Sequence, residues 1–176
     1  MPRKLLNSEL SRLSAEEFKQ ADKLPLVLVL DNIRSQHNIG AAFRTADAFR
    51  IEKIYLCGIS SPPPSAEIHK AALGAEDTVA WHYEKETTHV IDKLCEEGYC
   101  PVAIEQVEGS ILLHDFQPQK GKKYALIFGN EVKGVQQQVV DRCGISLEIP
   151  QQGTKHSLNV SVSIGVVLWD IVSKLR

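Results

Sequence analysis

The sequence predicts an α/β fold, a mainly parallel sheet with helices on both faces. Three observations carry this expectation. Continuous apolar runs such as LVLVL (residues 26–30) suit strands buried on both sides, as in parallel sheets. Strand-like and helix-like segments then alternate along the chain almost without exception, the signature of successive βαβ units. The unusual polar and glycine-containing stretches fall just after strands, where ligands bind in such sheets.

The elements follow in order. Residues 9–22 predict a helix, with Ser14 and Glu17 at capping-box spacing. Pro25 introduces the first strand, LVLVLDN. NIGAAFRTADAF (38–49) is Ala-rich and reads as a helix, with Asn38 where a helix cap belongs. KIYLCG (53–58) is a second strand, SPPPS (61–65) a loop, and IHKAALGA a short helix at most. TVAWHY (78–83) is a third strand, followed by a helix over 86–97 that Gly98 ends. CPVAIEQ (100–106) and YALIFGN (124–130) are the fourth and fifth strands, QQQVVDRC a short helix, and ISLEIP (145–150) the sixth strand. The segment HSLNVSVSIG (156–165) alternates as a half-buried strand would, yet runs on through Val172 without a turn signal. From the residues alone it is a strand or the start of a helix.

Composition sets the outer bounds. A length of 176 residues predicts one domain, and 43% apolar with 24% charged residues is ordinary for a globular protein. No apolar run approaches the ~20 residues of a membrane span, and the N-terminus is too polar for a signal peptide, so the cytoplasm is expected. Cys57, Cys95, Cys100 and Cys143 form no C-x-x-C pair, which predicts reduced, mostly buried thiols rather than a zinc cage. The six histidines show no metal-ligand spacing, so no metal is expected. A net charge of −2 means that any nucleic acid would be met by a local basic patch. G-x-G-x-x-G, G-x-x-x-x-G-K-[ST] and G-x-S-x-G are all missing, which removes the Rossmann, P-loop and hydrolase-elbow readings.

Three stretches carry the chemistry. In DNIRSQHNIGAAFRTADAF, Gly40 permits a close backbone approach, and Arg34 and Arg44 stand near a helix N-terminus, an arrangement that suits an RNA phosphate. It equally suits a capped helix with a solvated arginine. FGNEVKGV offers a tight turn with Glu131 inside it, or an ordinary strand-to-helix loop. IPQQGTKHSLNV crowds Lys155, His156, Ser157 and Asn159 together, more polar groups than one helix cap needs.

Together, N-x-G-x-x-x-R-x-A (38–46), F-G-x-E-x-x-G (128–134) and I-P-x-x-G-x-x-x-S-L-N-V-S (149–161) resemble, in order and spacing, the three motifs of the SpoU, or TrmH, family. These are RNA 2′-O-ribose methyltransferases of the SPOUT class, and the resemblance runs from about Pro25 to the C-terminus. It implies an α/β knot, in which the C-terminal segment threads a loop as a trefoil; general topology rules nearly forbid this. It implies that S-L-N-V opens a long helix over 158–174, apolar on several sides and covered partly by a second copy of the chain. It implies S-adenosylmethionine as cofactor and RNA as partner, with tRNA favoured over rRNA because the chain is compact.

Residue by residue, Asn38, Arg44, Glu131, Ser157 and Asn159 match the family's catalytic or substrate positions. Gly129, Ile149 and Leu158 match positions whose backbone surrounds the cofactor, and Ile104 and Glu105 should border it at the end of the fourth strand. Glu131 is expected to fix Arg44 or its neighbours. Residues 25–176 form the SPOUT methyltransferase domain in this reading, and 1–24 a helical extension that touches RNA or only packs on the sheet. Arg50 stands where the family commonly has Gly, and His156 precedes the S-L-N; both bear on substrate choice rather than on activity. The rival readings are a catalytically silent RNA-binding protein on this fold and a base-methylating SPOUT enzyme.

Overall fold

The computed structural model describes residues 1–176, the side chain of Asn7 excepted. A 3-10 turn at Asn7–Glu9 precedes α1 (Ala15–Gln20), and then strands and helices alternate: β1 (Leu24–Asp31), α2 (Gln36–Ala48), β2 (Ile51–Cys57), α3 (Ala66–Ala72) and β3 (Trp81–Glu84). The second half runs α4 (Thr87–Glu96), β4 (Tyr99–Ile104), β5 (Ile111–Leu112), β6 (Lys123–Phe128), α5 (Gln137–Val140), β7 (Ile145–Glu148) and α6 (Val160–Leu175). The strands form one sheet in the order β3-β2-β1-β6-β4-β7-β5, and every ladder is parallel.

The continuous apolar runs have the expected cause. Successive side chains of a strand point to opposite faces, so a strand covered on both sides must be apolar at every position. Leu26, Leu28 and Leu30 of β1 join a core with residues of α2, α3 and α6. Val27 and Val29 join a second core with Val90, Ile91 and Leu94 of α4 and Val139 of α5. Helices thus cover both faces, as the alternation predicted.

Several boundaries differ from those read in the sequence. The helix expected over 9–22 is the single short α1; its capping box is present, with Glu17 N–H on Ser14 Oγ and Ser14 N–H on Glu17 Oε2. The third strand starts at Trp81 rather than Thr78, because residues 75–77 make a 3-10 turn and the Thr78 hydroxyl turns back to Asp47. A seventh strand, β5, has only two residues; it pairs with β7 at the sheet edge, too short to leave a periodic signal.

The last segment is a helix. Asn159 caps α6, its Oδ1 accepting from the amide and hydroxyl of Ser161. The alternating serines therefore belong to a helix start, and Val160, Ile164, Val167, Leu168, Ile171 and Val172 are buried against α2 and the sheet. The far end is fastened by Lys174, which donates to the carbonyls of Leu113, His114 and Phe116 and to Asp170. Along another line, Leu158 just before the helix and Val162, Val166 and Trp169 on it are 38%, 50%, 39% and 64% exposed.

All four cysteines are free, but only Cys57 is buried; Cys100 and Cys143 are half-buried and Cys95 is exposed. The expectation of mostly buried thiols fails because Cys95 lies on the outer side of α4. Burial pushes the Cys57 and Cys143 thiols up to about 12. Among the described residues no helix is long and apolar enough to cross a membrane, and no cluster of three His, Cys, Asp or Glu could hold a metal ion.

Candidate functional site

A cavity of about 510 Å³ opens beyond the carboxyl ends of β4, β6 and β7 and is closed by the segment leading into α6. Eight of the ten residues singled out in the sequence line it: Ile104, Glu105, Gly129, Glu131, Ile149, Ser157, Leu158 and Asn159. Asn38 and Arg44 do not.

The loop after β6 forms the cavity floor, and its shape depends on Gly129. A Cβ at that position would stand 2.0 Å from the Val135 nitrogen and 2.1 Å from the Gly134 carbonyl carbon, so only glycine lets the loop fold back over its own start. Asn130 and Gly134 close the loop with a pair of backbone hydrogen bonds of 3.0 and 2.8 Å. The Asn130 side chain accepts from the amides of Val132 and Lys133 and donates to Asn32 O at 2.7 Å, tying this loop to the one after β1.

Glu131 completes that tie. Its carboxylate accepts from the amides of Arg34 and Ser35, each at 3.0 Å, and from Asn38 Nδ2 at 3.1 Å. Asn38 Oδ1 in turn accepts from Asn159 Nδ2 at 3.2 Å. The chain Glu131–Asn38–Asn159 thus joins the Asn38 segment to two others that lie 93 and 121 residues from it in sequence. Asn38 reaches the site through this network rather than through the cavity wall.

One local expectation needs correction and two are made specific. The helix cap is Ser35, whose Oγ accepts from the Asn38 amide; Asn38 sits one turn inside the helix and is free to use its side chain elsewhere. Gly40 permits a close approach, but to α3: a Cβ there would lie 2.4 Å from Ile68 O. Glu131 holds the neighbours of Arg44 and not Arg44 itself, which is exposed and has no hydrogen bond or ion pair among the described residues.

Burial raises the pKa of Glu131, but the amides of Arg34 and Ser35 and the Asn38 side chain outweigh it and hold the carboxyl below its ordinary 4.5. A depressed carboxyl stabilises the fold while charged. Its contribution is complete above the ordinary value and is lost as the pH falls through the lower folded-state value. Glu131→Gln is therefore expected to lower the melting temperature by about 4–8 °C near neutral pH, equivalent to about 2 kcal/mol for charge-assisted bonds in a chain of this size. Thermal melts of both proteins from about pH 7 to about pH 3 should show that gap closing in acid; a gap that stays constant would show that the charge of Glu131 contributes nothing.

The sequence reading passed over Asp31, which is fully buried at the end of β1 and accepts from Thr87 Oγ1, Asn32 Nδ2 and the Gln136 amide. The available signal was an acid closing an otherwise apolar strand. His156, Gln106 and Gln151 also line the cavity.

Residues 25–169 match the model of the SpoU rRNA Methylase family. The chain is 34% identical over 144 residues to 23S rRNA (guanosine-2′-O-)-methyltransferase RlmB of Neisseria meningitidis, covering 82% of this chain and 56% of that relative. It therefore spans little more than half the length of this curated relative. Among solved structures, a TrmH/SpoU tRNA modifying enzyme of A. aeolicus superposes with a TM-score of 0.80 at 22% identity, over 91% of this chain and 81% of that one. An AdoMet-bound rRNA methyltransferase of Sinorhizobium meliloti superposes with a TM-score of 0.78 at 27% identity, over 87% and 58%.

Proposed function

We propose that this chain, which belongs to the SpoU rRNA methylase family, is an S-adenosylmethionine-dependent enzyme that transfers a methyl group to a ribose 2′-hydroxyl of RNA. The observation that carries the reading is the Glu131–Asn38–Asn159 network, which draws all three motif segments to one cavity. The AdoMet-bound relative supports the cofactor. The cavity suits it in size, since small-molecule sites run to roughly 300–1,000 Å³, and its lining mixes the apolar Ile149 and Leu158 with polar groups and backbone at strand ends.

The bound cofactor supplies an electrophilic sulfonium methyl. In this proposal Ile104, Glu105, Gly129, Ile149 and Leu158 hold it, and Ser157 and Asn159 place the ribose at the cavity edge. The protein's chemical task is to align the 2′-oxygen and to ease loss of its proton. Arg44 lies six residues beyond Asn38, about 9 Å along the helix axis, and is exposed to an approaching strand. A guanidinium holds its proton far above neutral pH and is a reluctant base. We assign it to gripping the adjacent phosphate and stabilising alkoxide charge as it develops.

The finer points belong to the same proposal. The relatives' names point both ways on the RNA, to 23S rRNA and to tRNA, so the RNA class is what the reading asserts. Residues 25–176 act as the methyltransferase domain, 1–24 as its extension, and the C-terminal segment threads the family's knot. The enzyme works as a homodimer in the cytoplasm, without metal. Calorimetry with S-adenosylhomocysteine, followed by transfer of labelled methyl groups to total tRNA and to 23S rRNA, tests the reading. Saturable binding with 2′-O-methylation of either RNA is expected. No binding at about millimolar ligand, a concentration that detects even weak sites, sinks it; binding without transfer to any RNA favours a catalytically silent RNA-binding protein.

A further inference from the structure

The loop that floors the cavity is gripped from both sides at its exit. β6 lies between β1 and β4 in the sheet. Leu30 of β1 is level with Phe128, and Ala103 of β4 with Ile127, so the register carries Asp31 and Glu105 to the level of Gly129, one on each side. The returning loop brings the Val135 amide over Gly129, with the Gln136 amide next along the chain. Val135 N–H donates to Glu105 Oε2 and Gln136 N–H to Asp31 Oδ2, each at 2.9 Å. The remaining Asp31 oxygen is occupied by Thr87 Oγ1 at 2.6 Å and Asn32 Nδ2 at 3.0 Å. Three donors and no acceptor surround a carboxylate that is 0% exposed and does not line the cavity.

We propose that Asp31 is a positioning residue for the cofactor: acting with Glu105 as a two-sided carboxylate clamp on the Val135 and Gln136 amides, it sets the shape of the 129–136 loop and so the affinity of the cavity. The inference rests on the cofactor reading above. A carboxylate suits this place because one oxygen faces the loop amide while the other serves β1 and α4. An asparagine would have to turn its NH₂ toward a donor on one side or the other. The loop end of the clamp is equally specific. Gln136 has φ −58°, close to the value proline imposes, so Gln136→Pro removes the donated N–H at a φ the ring accepts.

The test compares the full chain with Asp31→Asn, Gln136→Pro, their double variant and Thr87→Val, by calorimetry with S-adenosylhomocysteine and by amide hydrogen exchange. Asp31→Asn and Gln136→Pro should each weaken the ligand about tenfold, the worth of one charge-assisted bond. The double variant should be no worse than the poorer single one, because both act on the same bond. Exchange should quicken across 129–136, and affinity for RNA should not change. Thr87→Val severs Asp31 from α4 but not from the loop, and should leave ligand affinity within about twofold of wild type, the scatter expected of a site that is not coupled. Unchanged affinity and exchange in Asp31→Asn, an equal loss in Thr87→Val, or additive losses in the double variant would each overturn the clamp. If Asp31→Asn does not fold, Gln136→Pro decides alone, and wild-type affinity in it overturns the clamp. A wild-type chain that binds no S-adenosylhomocysteine overturns the methyltransferase reading instead, and the exchange data then judge the clamp by themselves.

Discussion

Arg44→Ala is expected to lower the methyl-transfer rate by about a thousandfold while leaving S-adenosylhomocysteine affinity within about twofold, the pattern of a group that acts on developing charge in the transition state. The structure sharpens the expectation on the affinity side. Arg44 is outside the cavity wall and bonded to nothing among the described residues, so its removal disturbs neither the floor loop nor the Glu131 network. Arg44→Lys should not restore the rate, because an ammonium lacks the planar fork that holds a phosphate at two oxygens. Single-turnover assays at saturating cofactor separate the chemical step from binding. A lysine variant near the wild-type rate would refute the role given to the guanidinium, and a large loss of cofactor affinity in the alanine variant would move Arg44 into the cofactor site.

Val162→Asp should convert a dimer into a folded monomer. Leu158, just ahead of α6, and Val162, Val166 and Trp169 on it form one exposed apolar line, and contiguous apolar patches of this kind usually mark interfaces. A shallow hollow of about 460 Å³ lies beside it, walled by Leu113, Ile149, Pro150, Val166 and Trp169. Val162 is half exposed in the single chain, so a charge there leaves the core intact, whereas a second copy would have to bury that charge. Ultracentrifugation at micromolar concentration should report a dimer for the wild type and a monomer for the variant. The melting temperature should move by only a few degrees, as for a surface change. Methyl transfer should fall at least tenfold, because Leu158 begins the exposed line and also lines the cavity. An active wild-type monomer, or a Val162→Asp dimer, would show that this face of α6 stays in water.

The sequence by itself determined the parallel α/β sheet, the helices on both faces and most of the residues that line the candidate cavity. A strand covered on two sides must be apolar throughout, and a chain doubling back at a strand end needs a glycine at its close approach and a side chain beside it that takes the loop's own amides, which Gly129 and Asn130 supply. Those are local demands, and local demands are written in adjacent residues. The tertiary structure decided what depends on separation in sequence. The segment from Leu158 onward shows period-2 alternation, and packing against α2 made it a helix. Asn38 has the composition of a helix cap, and a partner 93 residues away took its side chain instead. Asp31 reads as the polar end of a strand until β6 returns between β1 and β4 and lays the Gln136 amide beside it. A hydrogen bond across such a distance leaves no periodicity and no spacing rule behind, because the chain between its ends is free to vary; only the folded sheet brings the two groups within 3 Å.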